Sequence, residues 1–150
     1  MVAKGIKIQS LLEIAVKQSA SDLHLNSGMM PLLRVDGELS PMVNFDVLDE
    51  ETTMDLLDQL MNDEQMDFYK SNKEVDFSFE FADIARFRVN AYMQLGKPAA
   101  ALRLVLRKIP SIDELRLPAV CHWFSSLRQG LVLVTGPTGH GKSTTQAAIL

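Results

Sequence analysis

The sequence predicts an α+β domain of antiparallel sheet and helices, followed by the opening of a parallel α/β domain. Three observations carry this. Between Val75 and Arg107, apolar and polar residues alternate over three successive strand lengths, the mark of antiparallel strands with one solvated face. Ahead of them, apolar residues recur at helical spacing. Near the end, Leu131-Val132-Leu133-Val134 is apolar without alternation, as in a strand buried on both faces, and a glycine-rich turn and a helix start follow it.

Ile8, Leu11, Leu12 and Ala15 have helical spacing, so a helix is predicted from Ile8 to about Lys17. Ser21 to Asn26 alternates, Leu23 and Leu25 facing one way and Asp22 and His24 the other. His24 could be a ligand or a base, but no Cys or His clusters near it, which favours a surface or interface role. Pro31 to Val35 and Glu38 to Met42 read as a hairpin, since Asp36-Gly37 supplies the positive φ angles of a type I′ turn.

Asp49 can cap the next helix, with Glu50 and Glu51 in its first turn and Met54, Leu57, Leu60 and Met61 along one face. Asn62 and Gln65 form a capping-box pattern that starts a further helix to about Lys70. Three strands come next. Val75, Phe77, Phe79 and Phe81 point inward on the first. On the second, Ala85 to Gln94, Phe87, Val89 and Ala91 oppose Arg86, Arg88 and Asn90. After a loop Leu95-Gly96-Lys97-Pro98 the third, Ala99 to Arg107, sets Leu102, Leu104 and Leu106 against Arg103, Val105 and Arg107.

If the last two strands pair across that four-residue loop, Arg86, Arg88, Arg103 and Arg107 share a face, Arg86 near Arg107. Like charges across a strand pair are destabilising unless something answers them. Two answers stand open: water with the neighbouring Asp76 and Glu80, or a polyanion. A one-residue slip in register would break the face apart.

A polyanion is what the end of the chain suggests. Gly136-Pro137-Thr138-Gly139-His140-Gly141-Lys142-Ser143 fits G-x-x-x-x-G-K-[ST] between a strand and a helix start. Backbone N–H groups must wrap phosphate oxygens closely, which explains glycine at Gly136, Gly139 and Gly141. Lys142 would bring a cation to the β- and γ-phosphates, Ser143 a hydroxyl ligand for Mg²⁺, and the helix from Lys142 its positive end. Upstream, Ser111 and Glu114 cap a short turn, and a helix with Val120, Trp123, Phe124 and Leu127 at helical spacing begins after Pro118.

Composition narrows the classes. A formal net charge of −4 argues against a broad nucleic-acid-binding surface. No apolar run approaches the ~18 residues of a membrane span, and no signal peptide opens the chain. The single Cys121 cannot form an internal disulfide and suits a reducing cytoplasm, as a small buried apolar residue on a helix rather than a nucleophile. The chain stops soon after the phosphate loop, so we expect the front portion of a longer protein, with no hydrolysis from it alone.

Taken together, Ala20-Ser21-Asp22-Leu23-His24-Leu25, Arg34-Val35-Asp36-Gly37, Asp76-Phe77-Ser78-Phe79, Arg86-Phe87-Arg88-Val89-Asn90, Gly130 to Val134 and the phosphate loop through Thr145 resemble the PilT/PilU-type retraction ATPases of type IV pili, in the secretion ATPase superfamily. The resemblance implies a PAS-like amino-terminal domain over residues 1–107, a linker over 108–118 and the truncated start of a RecA-like P-loop domain over 119–150. It implies ATP and Mg²⁺ as ligands, bound at Gly136, Pro137, Thr138, Gly139, His140, Gly141, Lys142, Ser143 and Thr144, with Ser143 on the metal. Lys142, together with Arg86, Arg88 and Arg103 reaching the phosphates from the amino-terminal domain, would be the catalytic residues.

The resemblance further implies a homohexameric motor in the cytoplasm, peripheral to the inner membrane. Its partners would be the pilus platform protein and a paralogous retraction ATPase, with no nucleic acid and no membrane insertion. His140 departs from the small residue usual at its position, and the acidic catalytic motifs fall beyond Leu150. Other readings are a non-catalytic oligomerisation module, or a pilus-assembly or secretion ATPase of the same superfamily.

Overall fold

The computed structural model describes residues 5–106, 109–137 and 140–150, with the side chain of Leu106 left out. Expectations that fall on Arg107, Lys108, Thr138 and Gly139 therefore lie outside the described residues. The chain divides into two compact units, Met1–Arg107 and Lys108–Leu150.

The first unit is a six-stranded antiparallel sheet with three helices, in the order α1 (Ile8–Lys17), β1 (Asp22–Asn26), β2 (Leu32–Val35), β3 (Glu38–Pro41), α2 (Glu50–Asp58), α3 (Asp63–Asn72), β4 (Glu74–Phe81), β5 (Ala85–Gln94) and β6 (Lys97–Leu106). Its strands lie in the order β3-β2-β1-β6-β5-β4. The last strand of the unit thus pairs with the first, Leu23 opposite Leu102, and this long-range closure puts β1 and β6 at the centre.

Helices α1, α2 and α3 pack against β1, β6 and β4. Between helices and sheet, Ile8, Leu11 and Leu12 of α1, Leu56 and Leu57 of α2, Leu23 and Leu25 of β1, Phe87 and Val89 of β5 and Leu102 of β6 are wholly buried. Each such side chain contributes about 1.5–3 kcal/mol relative to exposure. The period-2 pattern read in β1 and β5 holds, since the polar residues of both lie on the opposite face.

The caps are local. Asp49 accepts from the Thr52 N–H at 2.7 Å, and Asn62 and Gln65 form both bonds of the capping box. The Asp36-Gly37 turn has φ of 50° and 88°, as a type I′ turn requires. Helix α1 differs: Lys7 offers no side-chain cap, and Gln59, at the end of α2, accepts from the Ile8 N–H at 2.9 Å instead.

The face read along Met54, Leu57, Leu60 and Met61 holds, with both leucines buried and both methionines packed against the core. It is wider than read, since Thr52, Thr53 and Leu56 are buried too. The Thr53 hydroxyl donates to the Asp49 carbonyl at 2.7 Å, and this back-bond lets a polar residue face the core. The β5–β6 loop has two residues, Leu95-Gly96, not four. Leu95 takes φ of 51°, which its residue type does not advertise. Arg88 consequently faces Arg103 and Arg86 faces Val105, two residues away from the register expected, with the arginines still on one face.

In the second unit, Ser111 and Glu114 form reciprocal capping bonds of 2.8 and 3.2 Å. The helices α4 (Val120–Ser126) and α5 (Lys142–Ile149) follow, packed against each other. Cys121 is buried on α4, while Trp123 is exposed. Leu131 to Val134 is not a buried strand: it joins no ladder, and Leu131 and Leu133 are 83% and 75% exposed. An all-parallel strand is covered only between neighbouring strands and helices, and the described residues supply no such neighbour.

Candidate functional site

The residues singled out from the sequence fall in two places, one in each unit. In the first unit, the face of the sheet away from the helices carries Arg34, Asp22, Arg103, Arg88 and Ser78 in one row, because these are successive partners across β2, β1, β6, β5 and β4. The next row holds His24, Ala101, Asn90 and Asp76. Asp22, Asp76, Arg88, Asn90, Ala101 and Arg103 line a hollow of about 340 Å³. Ala101, a methyl between longer side chains, leaves the room.

The three arginines named from the sequence differ in what they touch. Arg86 is tied to Glu80 through both Nε, at 2.7 Å, and Nη2, at 2.6 Å. Arg88 reaches Asp76 only at 3.9 Å. Arg103 donates from Nε to Asp22 Oδ1 at 3.1 Å. Glu80 and Asp76 were the neighbours expected to answer this charge. Asp22 was not, because it comes from a strand far back in the chain.

Three guanidinium groups, of Arg34, Arg88 and Arg103, thus meet the carboxylates of Asp22 and Asp76 at the hollow, and Asn90, which also lines it, donates to the Glu74 carboxylate at 3.1 Å. His24 borders the hollow. Burial lowers its pKa, Asp22 partly offsets this, and Arg34 and Arg103 lower it further. Its Nε2 and the Oδ1 of Asn26, two residues along the same face, are buried without a hydrogen-bond partner among the described residues. A neutral imidazole fits that surrounding, since a cation there would face two guanidinium groups.

In the second unit the phosphate-loop residues lead into α5. Gly141 has φ of 75° and occupies the cap of α5, so no side chain competes for the N–H groups of the first turn. The helix closes its first bond from the Thr145 N–H to the Gly141 carbonyl at 2.8 Å. Ser143 and Thr144 are exposed in that turn. Lys142 folds back so that Nζ donates to the Pro137 carbonyl, which places its ammonium over the loop. Gly136 has φ of 149°, a conformation open to glycine and few others.

A helix opening preceded by glycines and carrying Lys-Ser at its first positions can bind an anion through backbone N–H groups, the helix dipole and the ammonium together. The donor set also fits Mg²⁺, which commonly takes one or two protein oxygens and completes its shell with phosphates and water. Among the described residues no group of three or more His, Cys, Asp or Glu could hold a metal ion. No described helix is long and apolar enough to cross a membrane.

The chain thus carries an antiparallel sheet unit with an arginine-lined hollow and a second unit that holds a phosphate-loop helix opening. The profile of the family "Type II/IV secretion system protein" matches residues 2–150, and the chain belongs to that family. It is 44% identical over 143 residues to the type IV pilus retractation ATPase PilT of Pseudomonas aeruginosa, covering 95% of this chain and 41% of that protein. To the type IV pilus ATPase PilU of the same organism it is 32% identical over 145 residues, 97% of this chain and 38% of that protein. A crystal structure of the pilus retraction motor PilT with bound ADP superposes with a TM-score of 0.73 at 38% identity, over 96% of this chain and 42% of that one. The chain thus spans about two fifths of the length of the relatives it matches.

Proposed function

We propose that this chain is the amino-terminal part of an ATP-hydrolysing motor that retracts type IV pili. Residues 1–107 would be its PAS-like domain, 108–118 the linker and 119–150 the start of its RecA-like ATPase domain. The observation that carries the reading is the pairing, in one chain, of a phosphate-loop helix opening at Gly141–Lys142 with a sheet face on which Arg88 and Arg103 stand directly opposite each other. The higher identity to PilT than to PilU supports a retraction motor of the PilT kind.

In this reading the loop from Gly136 to Thr144 holds the ATP phosphates, Lys142 moving from the Pro137 carbonyl to the β- and γ-oxygens. Ser143 offers its hydroxyl to Mg²⁺, which when bound neutralises phosphate charge. Arg88 and Arg103, and Arg86 if it releases Glu80, add guanidinium charge to the γ-phosphate from the amino-terminal domain. Domain closure over ATP and reopening after hydrolysis would be the mechanical step, in a cytoplasmic hexamer working on the platform protein beside the inner membrane.

The test is ATP turnover of the whole motor with Lys142→Ala. Loss of turnover by at least about 100-fold is expected for a phosphate-binding cation, and retained turnover would overturn the assignment. A pilus-assembly motor of the same superfamily would lose turnover equally, but its deletion would abolish pili, whereas deletion of a retraction motor leaves cells with pili that no longer shorten.

A further inference from the structure

Within the hollow of the first unit, one carboxylate is placed differently from the rest. The Asp22 side chain is only 12% exposed, whereas that of Arg103 is 72% exposed. Asp22 is itself held. Its Oδ2 accepts from the Ser21 hydroxyl at 2.8 Å and faces Arg34 Nε at 3.5 Å. Arg34 is in turn fixed to the β2–β3 turn, its Nη1 donating to the Gly37 carbonyl at 2.9 Å. Both sides of Oδ2 are therefore occupied, and Oδ1 is directed to Arg103.

The way Arg103 meets that oxygen matters. It donates through Nε, at 3.1 Å, and its two Nη groups make no hydrogen bond to any described residue. A guanidinium is a planar fork with five N–H donors. Holding it by Nε fixes the plane and leaves the Nη₂ edge, the edge that grips two oxygens of a phosphate at once, directed away from the carboxylate. Glu80 instead takes both Nε and Nη2 of Arg86 on its Oε1, which engages one of that residue's Nη groups.

We propose that Asp22 is a positioning residue that orients Arg103 for a phosphate, with Ser21 and Arg34 fixing Asp22. The proposal rests on the reading of Arg103 as a phosphate contact. Its energetic basis is orientation, since an exposed ion pair adds little stability, while a donor that is already aimed spends no reorganisation when charge develops. Asp22 is not a catalytic residue in this account, as it acts only through Arg103.

Two measurements test it. In the isolated 150-residue chain, ¹H–¹⁵N spectra of the arginine Nε–H groups should show a separate, slowly exchanging Arg103 signal that merges into the solvent-averaged envelope in Asp22→Asn and returns in Asp22→Glu. An unchanged Arg103 signal in Asp22→Asn would overturn the orientation. In the whole motor, Asp22→Asn should lower kcat about 10-fold with KM changed less than about 3-fold, Asp22→Glu should recover most of it, and Asp22→Asn added to Arg103→Ala should cost nothing more.

If Arg103→Ala lowers kcat but Asp22→Asn does not, Asp22 has no positioning role and the phosphate reading stands. If Arg103→Ala itself leaves kcat unchanged, both fail. Thermal unfolding of the Asp22→Asn chain within about 5 °C of the parent separates a loss of orientation from a loss of fold, and a larger drop would make Asp22 structural.

Discussion

Arg88 and Arg103 stand directly opposite each other on β5 and β6. Each leans toward a carboxylate on its far side, Asp76 for Arg88 and Asp22 for Arg103, so their shared flank is positive. Like charges directly opposite each other on neighbouring strands have a cost in stability.

That cost is measurable. Replacing Arg88 by Thr, a good strand residue, should raise the unfolding free energy of the chain by up to about 0.5 kcal/mol at low salt. The gain should fade near 1 M salt, where screening acts over about 3 Å. In the whole motor the same change should lower kcat. Denaturant melts at two salt concentrations, set beside the turnover assay, check both halves.

His24 makes stability depend on pH. Its folded pKa lies below that of the unfolded chain, near 6.5 for histidine, so the unfolded state takes up its proton first as pH falls. The stability that His24 contributes is complete above about pH 6.5 and declines as pH drops toward its folded pKa. His24→Gln should flatten the melting temperature between about pH 7 and 5, the carboxylates supplying any slope that remains below that range. An unaltered slope would mean that the imidazole is not desolvated.

Leu95 is 96% exposed with φ of 51° at the tip of the β5–β6 hairpin. Type I′ turns favour Asn before Gly, and the residue that follows is Gly96. Leu95→Asn should therefore stabilise the chain by about 0.5–1 kcal/mol. Equilibrium unfolding of the two chains side by side measures it.

The capping box of α3 gives a control in the opposite direction. Asn62 accepts from the Gln65 N–H at 2.8 Å and donates its own N–H to Gln65 Oε1 at 3.0 Å. Asn62→Ala should cost about 1 kcal/mol and leave nucleotide chemistry untouched, since α3 lies on the helical side of the sheet. A matching loss of turnover in the whole motor would tie α3 to the mechanism.

Much of this molecule is written locally. The bounds of α1 and β5 are those the pattern predicts, because burial of one face imposes its period on consecutive residues. The capping boxes at Asn62 and Ser111 and the Asp36-Gly37 turn are legible because each involves neighbours a few residues apart. The arginines of the candidate site were legible too, as a charged alternate set on two strands. Their register was not: it depends on a two-residue turn in which Leu95 adopts a left-handed conformation, and no residue signal marks that.

By itself, the sequence determined the elements of the first unit, the phosphate-loop helix opening and the face on which Arg86, Arg88 and Arg103 lie, since all of these follow from spacing along the chain. Only the tertiary structure decided that β6 returns to lie beside β1. That pairing brings Asp22 to Arg103 across 81 positions of sequence, just as packing of α2 beside α1 lets Gln59 cap Ile8. The reason is physical: a hydrogen bond between distant residues is specified by the closure of the whole core, whose free energy is spread over many buried side chains.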